Sequence, residues 1–449
     1  MSPVGWTAPG RSATYGDPTG PLSRIAVAGA RFTLLLYVLV VYSGALVFLI
    51  TFSPALLYGS YVIVCGCVAT ILFFERDSGK KLLSSAPYVC WLLIVYCAWG
   101  SLVTVGSVPA DEVAKLFLKN AIVLAAFSLA VVSLRDLKKA ASWLQVIVLL
   151  NVAICIQELS DRDLILTLAR AVDPLATAYD LQRCAGLWRN PDEASFAFIF
   201  GFLIAHWANR PMAWIGRLAC VAGIFMTASR TGAYVIVGCC AVSLLSNLRP
   251  KEFSHRLTSI SLAAAMLAVT GLALSRSSFF DDLANQRQIR RILDPTEHSD
   301  RASGAPSRLE IARAALDRAC ERPFTGFGIF SYEDLRVIST ISAGLVLGAH
   351  NIFLIVFGET GIFGFLTYLF ILGWGLRRAF YQGIRADDRL VLVLMWLSYI
   401  VIGFAWHNQF IDFGGMLYVS FLYHLPVILR RSGDGIQTAV TEIREAAFC

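Results

Sequence analysis

The side chains that could do chemistry fall into two groups, imidazoles beside carboxylates and arginines at the edges of apolar runs. His350 and Asn351 stand at the threshold of the run IFLIVFGETGIFGFL, with Glu359 nine residues beyond the histidine. A second imidazole, His407 in FAWHNQFID, has Asp412 five residues on. An imidazole with an ordinary pKa near 6.5 suits a general base at neutral pH. Either Glu359 or Asp412 could orient such a base. The arginines are Arg183 and Arg189 in QRCAGLWRNPDEASF, Arg230 in MTASRTGAY, and Arg308 at the start of RLEIARAALDRACE. A guanidinium fork can hold a diphosphate bidentately, whereas the plain reading of Arg230 is a side chain snorkelling to lipid headgroups. Asn190 and Pro191 read as a turn into a helix whose dipole favours Asp192 and Glu193 in its first turn. His206, His255, His298 and His424 receive no role.

The elements that must position these groups are apolar. Of 449 residues, 57% are hydrophobic and 15% are charged, and the mean hydropathy is +0.65. Soluble domains run near 45–50% apolar and about 25% charged, and about 20 apolar residues cross a bilayer as a helix. The fold class expected is an all-α polytopic membrane protein of about 12 transmembrane helices, at 33–52, 56–74, 86–104, 116–133, 140–158, 193–208, 211–228, 232–247, 258–275, 351–372, 389–406 and 413–430. Residues 1–32 read as a disordered cytoplasmic tail, 33–430 as the transmembrane domain, and 431–449 as a second cytoplasmic tail.

Lys and Arg alternate between hairpins as the positive-inside rule requires when both termini are cytoplasmic. The net charge of +7 therefore follows topology rather than nucleic-acid binding. Two external loops are long, at about 159–192 and 276–349. The second carries ten arginines and an amphipathic helix with Leu309, Ala312, Leu316 and Cys320 on one stripe, ended by Pro323 and the flexible FTGFG. A loop of this length invites a functional reading. The eleven cysteines show no CxxC or Cys/His metal spacing, and most lie in apolar blocks. Cys184 and Cys320 lie in the two external loops, where a disulfide could join them. No Walker motif, GxSxG elbow or HExxH is present, which argues against nucleotide-driven coupling.

Taken in order, these stretches resemble the O-antigen ligase family, which includes Wzy-type O-antigen and exopolysaccharide polymerases. The resemblance rests on Arg183, Gly186, Asn190 and Pro191 before a span, then Ser229 and Arg230 at an external hairpin. Arg308 opens the loop helix, RPFTGFG follows it, and AHNIFLIVFGETGIFG closes the set with His350, Asn351, Glu359, Gly361 and Gly364. It covers about 183–373. Asp192 departs from the asparagine common at that place.

The resemblance implies a GT-C-like fold with a helical periplasmic loop, and a metal-independent, inverting glycosyl transfer without a cofactor. The donor would be a glycan on undecaprenyl diphosphate, and the acceptor lipid A-core for a ligase or a lipid-linked repeat for a polymerase. His350 would be the base; Arg230 and Arg308, helped by Arg183 and Asn351, would bind substrate. The implied place is the periplasmic face of the bacterial inner membrane, with a chain-length regulator as a further candidate partner. A twelve-span secondary transporter is the alternative. Against it stand the scarcity of ionisable residues at span centres and the lack of paired interrupted spans.

Overall fold

In the computed structural model of the protein, the residues described are 21–46, 54–75, 99, 102, 127–130, 134, 136–161, 184–188, 191–246, 308–328, 331–332, 351–380, 384–404, 415 and 417–429. Regular structure among them is helical throughout. In chain order the helices are α1 (Pro21–Tyr42), α2 (Pro54–Phe74), α3 (Leu137–Ser160), α4 (Pro191–Ile204, continued by a 3-10 turn Ala205–Trp207), α5 (Arg210–Thr227), α6 (Arg230–Ser246), α7 (Arg308–Glu321), α8 (Ile352–Arg378), α9 (Ala386–Gly403) and α10 (Leu417–Leu429). The expected spans 86–104, 116–133 and 258–275 lie wholly or largely outside the described residues.

By length and composition, α1, α3 and α8 can cross a membrane, and stretches of α2, α6 and α10 are shorter apolar helices. The chain is therefore a membrane protein of apolar helices. α1 begins at Pro21, so the helix takes in 21–32, which the composition had assigned to the tail. Proline is well placed in a first helical turn, where its missing N–H leaves no bond unmade.

α4 lies at the centre. Its sequence PDEASFAFIFGFLI is apolar on every face after the first turn, and the residues from Ala194 onward are buried except Phe202. Such a helix must be surrounded. α5 returns antiparallel along it, with Phe198 against Gly223. α6 packs through Gly232 onto Ser195, and α10 through Tyr418, whose ring lies 4.4 Å from Phe196 and 4.3 Å from Phe200. α1 joins through the Tyr42 hydroxyl, which donates to the Ala197 carbonyl at 3.1 Å.

The bundle has two chemically distinct ends. At one, the start of α4, the α5–α6 turn and the end of α1 come together. α9 runs antiparallel to α6, with Cys239 Sγ 3.5 Å from Ser398 Oγ, so the C-terminus of α9 reaches the same end. At the other end the start of α9 meets the end of α4, where Asp388 accepts from Trp207 Nε1 at 2.9 Å. The start of α5 meets α3 there too, through the Asn209 N–H and Ser142 Oγ at 3.0 Å.

α8 is not one straight rod. Gly361 has φ 67° and ψ −168°, which breaks the helix. Phe353 and Tyr368 would stand about 22 Å apart along an unbroken helix. Their ring centroids are 5.7 Å apart, so the first part folds back beside the second. The second part runs antiparallel to α9, with the Trp396 ring against Gly375, and Phe353 meets Phe404 at 4.5 Å. The tip of the fold, Glu359–Gly361, therefore lies at the same end as the start of α6.

Candidate functional site

α6 begins after a very short connection. Only Ala228 and Ser229 separate α5 from α6. Ala228 adopts a left-handed conformation (φ 50°, ψ 31°), which costs a non-glycine residue about 1–2 kcal/mol. Ser229 is buried and caps α6: its Oγ accepts from the Gly232 N–H at 3.3 Å and its carbonyl from the Ala233 N–H at 2.9 Å. Arg230 is thereby fixed as the first residue of α6, partly exposed. Strain of this kind concentrates where a side chain must be held in place.

The loop 184–188 lies beside that turn. The Cys184 N–H donates to the Met226 carbonyl at 3.4 Å. The Ala185 and Gly186 N–H groups both donate to Glu158 Oε2 at 3.0 Å, and the Leu187 N–H to Asn151 Oδ1 at 3.3 Å. Trp188 N–H turns back to the Ala185 carbonyl at 3.0 Å, and its ring meets Tyr42 edge-on. Every N–H of the loop is thus taken by the protein itself. Phosphate-cradling loops present such groups to the ligand. Here the N–H groups of 184–188 are occupied, and an anion at this place would have to be met by side chains.

The third component is the cap helix α7. Its buried stripe includes Ile311, Ala315 and Ala319, and three of the expected residues lie off it: Ala312 is only partly buried, and Leu316 and Cys320 are exposed. The small alanines explain the choice, because they let the helix come close to Ile355 and the Tyr332 hydroxyl reach the Ala315 carbonyl at 3.1 Å. Burial pushes the Tyr332 phenol up from its ordinary value, so it remains a donor. Cys184 and Cys320 are free thiols, the first buried and the second exposed.

After α7 the chain plugs the break in α8. A helix interrupted at Gly361 leaves carbonyls without their usual partners. The Phe327 N–H donates to the Gly358 carbonyl at 2.8 Å and the Gly328 N–H to the Glu359 carbonyl at 2.9 Å. Trp99 Nε1 donates to the Thr360 carbonyl at 2.7 Å, and the Ile362 N–H to the Pro323 carbonyl at 2.8 Å. The approach needs two glycines with left-handed φ. A side chain on Gly326 would meet the Glu359 backbone, and one on Gly361 the Phe324 carbonyl. Glu359 is buried, and its Oε1 accepts from the Tyr332 N–H at 3.3 Å. Arg318 and Arg322 both stack on the Phe327 ring, at 4.2 and 4.9 Å. The C-terminal end of α7 is thus fastened at the tip of α8, and its body runs back along Ile355.

Asn351 caps the first part of α8, its Oδ1 accepting from the Phe353 and Leu354 N–H groups at 3.0 and 3.3 Å. Of the residues singled out from the sequence, Arg230, Asn351 and Glu359 come to the same end of the bundle, and Arg308 is the first residue of α7. His350, Arg183, Arg189, Asn190, His407 and Asp412 lie outside the described residues. His350 immediately precedes the Asn351 cap, and Arg183 and Arg189 directly flank 184–188. Sequence reasoning missed Glu158 and Asn151. The signal was there: a carboxylate and a carboxamide two turns apart in a largely apolar helix.

A family model described as O-antigen ligase matches residues 196–369. No curated protein matches the chain. The match begins within α4 and ends in the second part of α8, so it takes in the α5–α6 turn, the cap helix and the plugged break. The protein is accordingly a membrane protein that carries, over residues 196–369, a domain of the O-antigen ligase family.

Proposed function

We propose that the protein transfers a glycan from undecaprenyl diphosphate to an acceptor sugar hydroxyl in surface polysaccharide biosynthesis. The acceptor is lipid A-core if it acts as a ligase and a lipid-linked repeat if it acts as a polymerase. The observation that carries this reading is convergence. The capped start of α6 with Arg230, the loop flanked by Arg183 and Arg189, and the break to which α7 is fastened meet at one end of the bundle.

In this reading the acceptor oxygen attacks the anomeric carbon as its proton passes to His350. The bond from that carbon to the diphosphate oxygen breaks on the opposite face, inverting the centre. Undecaprenyl diphosphate leaves with the negative charge. Arg230 and Arg308, with Arg183 beside them, meet that charge without a metal ion. Arginine stays protonated throughout, so fixed guanidinium groups can stabilise a growing diphosphate charge with no proton transfer to the leaving group.

The far end of the bundle carries Lys138 and Lys139 at the start of α3, Arg210 at the start of α5, Arg377 and Arg378 at the end of α8, and Arg385 and Arg389 around the start of α9. The positive-inside rule puts that end in the cytoplasm and the site on the periplasmic face of the inner membrane, with twelve spans and both termini inside. A transporter reading gains nothing from the broken helix α8, because its exposed backbone groups are occupied by the 323–328 segment and Trp99.

The test is transfer by purified protein in liposomes without added metal. His350→Ala should lose about 10²–10⁴-fold in turnover while still retaining the lipid-linked donor, as removal of a general base does. Arg230→Lys should lose most activity although the charge is kept. His407→Ala should keep a sizeable fraction. Normal turnover by His350→Ala alongside a dead His407→Ala would move the base to His407.

A further inference from the structure

The structure assigns Glu158 as a positioning residue, one that holds loop 184–188 beside the α5–α6 turn from which Arg230 starts. This deepens the proposed function and rests on it. Glu158 sits in the last turn of α3, at the rim of an apolar helix. A carboxylate in such a place is costly unless it is engaged. It is engaged by two consecutive N–H groups on one oxygen, Ala185 and Gly186, both at 3.0 Å. Bonds to an ionised acceptor are the strong kind.

Glu158 is the residue of α3 that accepts from Ala185 and Gly186. Asn151, two turns earlier, accepts from Leu187 instead. With Glu158 removed, two adjacent N–H groups would lose their partners, and Cys184–Gly186 would be tied to the helices by the long Cys184–Met226 backbone bond of 3.4 Å and the Cys184 thiol on the Cys155 carbonyl at 3.5 Å, the Trp188–Ala185 bond lying within the loop itself. The N–H groups that Glu158 occupies cannot also bind a phosphate. Glu158 therefore does two things at once: it fixes the loop, and it leaves anion binding there to the arginine side chains.

Cys184 reports on the loop independently of activity, because its thiol is buried and lies 3.5 Å from the Cys155 carbonyl. In the full-length protein, with the other cysteines replaced by alanine, Cys184 should resist a maleimide. Glu158→Ala should make it react. Glu158→Gln, whose amide oxygen can still accept both bonds, should restore protection. Should Glu158→Ala fail to insert, Glu158→Asp serves in its place: it keeps the charge, draws the carboxylate back by one methylene, and should show the same gain in labelling.

In the transfer assay Glu158→Ala should lower kcat/KM for the donor by up to about 100-fold, the order expected from misplacing a binding group by about 1 Å. It should cost little more when added to Arg183→Ala, since residues acting through one another are not additive. Continued protection of Cys184 in the alanine and aspartate variants, or full additivity with Arg183→Ala, would overturn the assignment. Normal transfer by Arg183→Ala, together with exposed Cys184 in Glu158→Ala, would instead remove the donor-site reading and leave the hold on the loop standing.

Discussion

The two ends of the bundle solve the same problem by opposite means. Both must tie polar chain to apolar helices. At the end bearing Arg230 the ties are made largely by backbone: the 323–328 segment inserts into the break of α8, and loop 184–188 gives up its N–H groups to α3 and α5. At the far end the central tie is side chain to side chain, with the Asn209 N–H on Ser142 Oγ beside it. Asp388 is buried and gathers Trp207 Nε1 at 2.9 Å, His206 Nε2 at 3.1 Å, and Arg385 through Nε at 2.7 Å. The insertion into the break of α8 needs room rather than a particular side chain, so its signature is glycine, whereas loop 184–188 also needs the acceptors Glu158 and Asn151. A side-chain tie consumes the charged groups themselves. At the end bearing Arg230, Arg318 and Arg322 brace the Phe327 ring, while the backbone ties into the break of α8 are made without an arginine side chain.

The sharpest way to break that contrast is to fill the space of a backbone tie. Gly361→Val should be the most damaging change. It forces a left-handed φ on a β-branched residue, at roughly 1–2 kcal/mol for the backbone alone. It also drives a side chain into the Phe324 carbonyl, with backbone on both sides unable to yield. Little folded protein should be recovered, and thermal unfolding in detergent should come early. Gly373→Ala in the same α8 is the control. It has helical geometry, and a methyl group there would meet nothing within 4 Å, so it should be neutral or gain about 0.5–1 kcal/mol. Equal tolerance at 361 and 373 would mean that the break is not a fixed part of the fold.

This contrast also decides what could be read from the sequence. Most of the described helices were legible because apolar length alone marks them, and the cap helix was legible from Arg308 to its end before Pro323. Its buried stripe was not: Leu316 and Cys320 of the expected stripe are exposed, and Ile311, Ala315 and Ala319 are buried instead, because small residues let the Tyr332 hydroxyl reach the Ala315 carbonyl. The motif GETG was visible as a motif, but a left-handed Gly361 folding α8 back on itself depends on the 323–328 chain that fills the break. Glu158 was overlooked because its partners are backbone N–H groups about thirty positions away, which carry no side-chain signature. His206 was read as having no role, and its bond to Asp388 joins residues 182 positions apart.

The far end should answer differently. Asp388→Ala leaves the buried Trp207 N–H without its acceptor, at a cost of about 1–3 kcal/mol. Asp388→Asn keeps an acceptor and should cost less. Neither should change transfer per folded molecule, because this knot lies at the opposite end from Arg230. Unfolding temperature and single-turnover transfer, measured on the same preparations, separate the two effects. A fall in transfer beyond the loss of folded protein would show that the ends are coupled.

The smallest effect expected is at Asn351, and it tests whether a residue at the site end serves the fold or the substrate. The family resemblance casts it as substrate-binding, while its Oδ1 is occupied by the Phe353 and Leu354 N–H groups. Removing a helix cap of this kind costs about 1 kcal/mol, so Asn351→Ala should lower stability by that order. Serine caps about as well as asparagine and adds no charge, so Asn351→Ser should recover the stability. The amide NH₂, which serine lacks, is then the only group whose loss remains to be read. If Asn351 acts as the cap alone, Asn351→Ser should transfer at close to the unmodified rate and Asn351→Ala should differ from it only in stability. If the carboxamide also donates to the glycan or diphosphate, Asn351→Ser should be as stable as the unmodified protein yet transfer several-fold more slowly, because a donor to substrate is worth about 0.5–1.5 kcal/mol even when neutral. Full activity in the serine variant would make Asn351 a residue of the fold alone, next to His350 in the chain but not a second contact to the substrate.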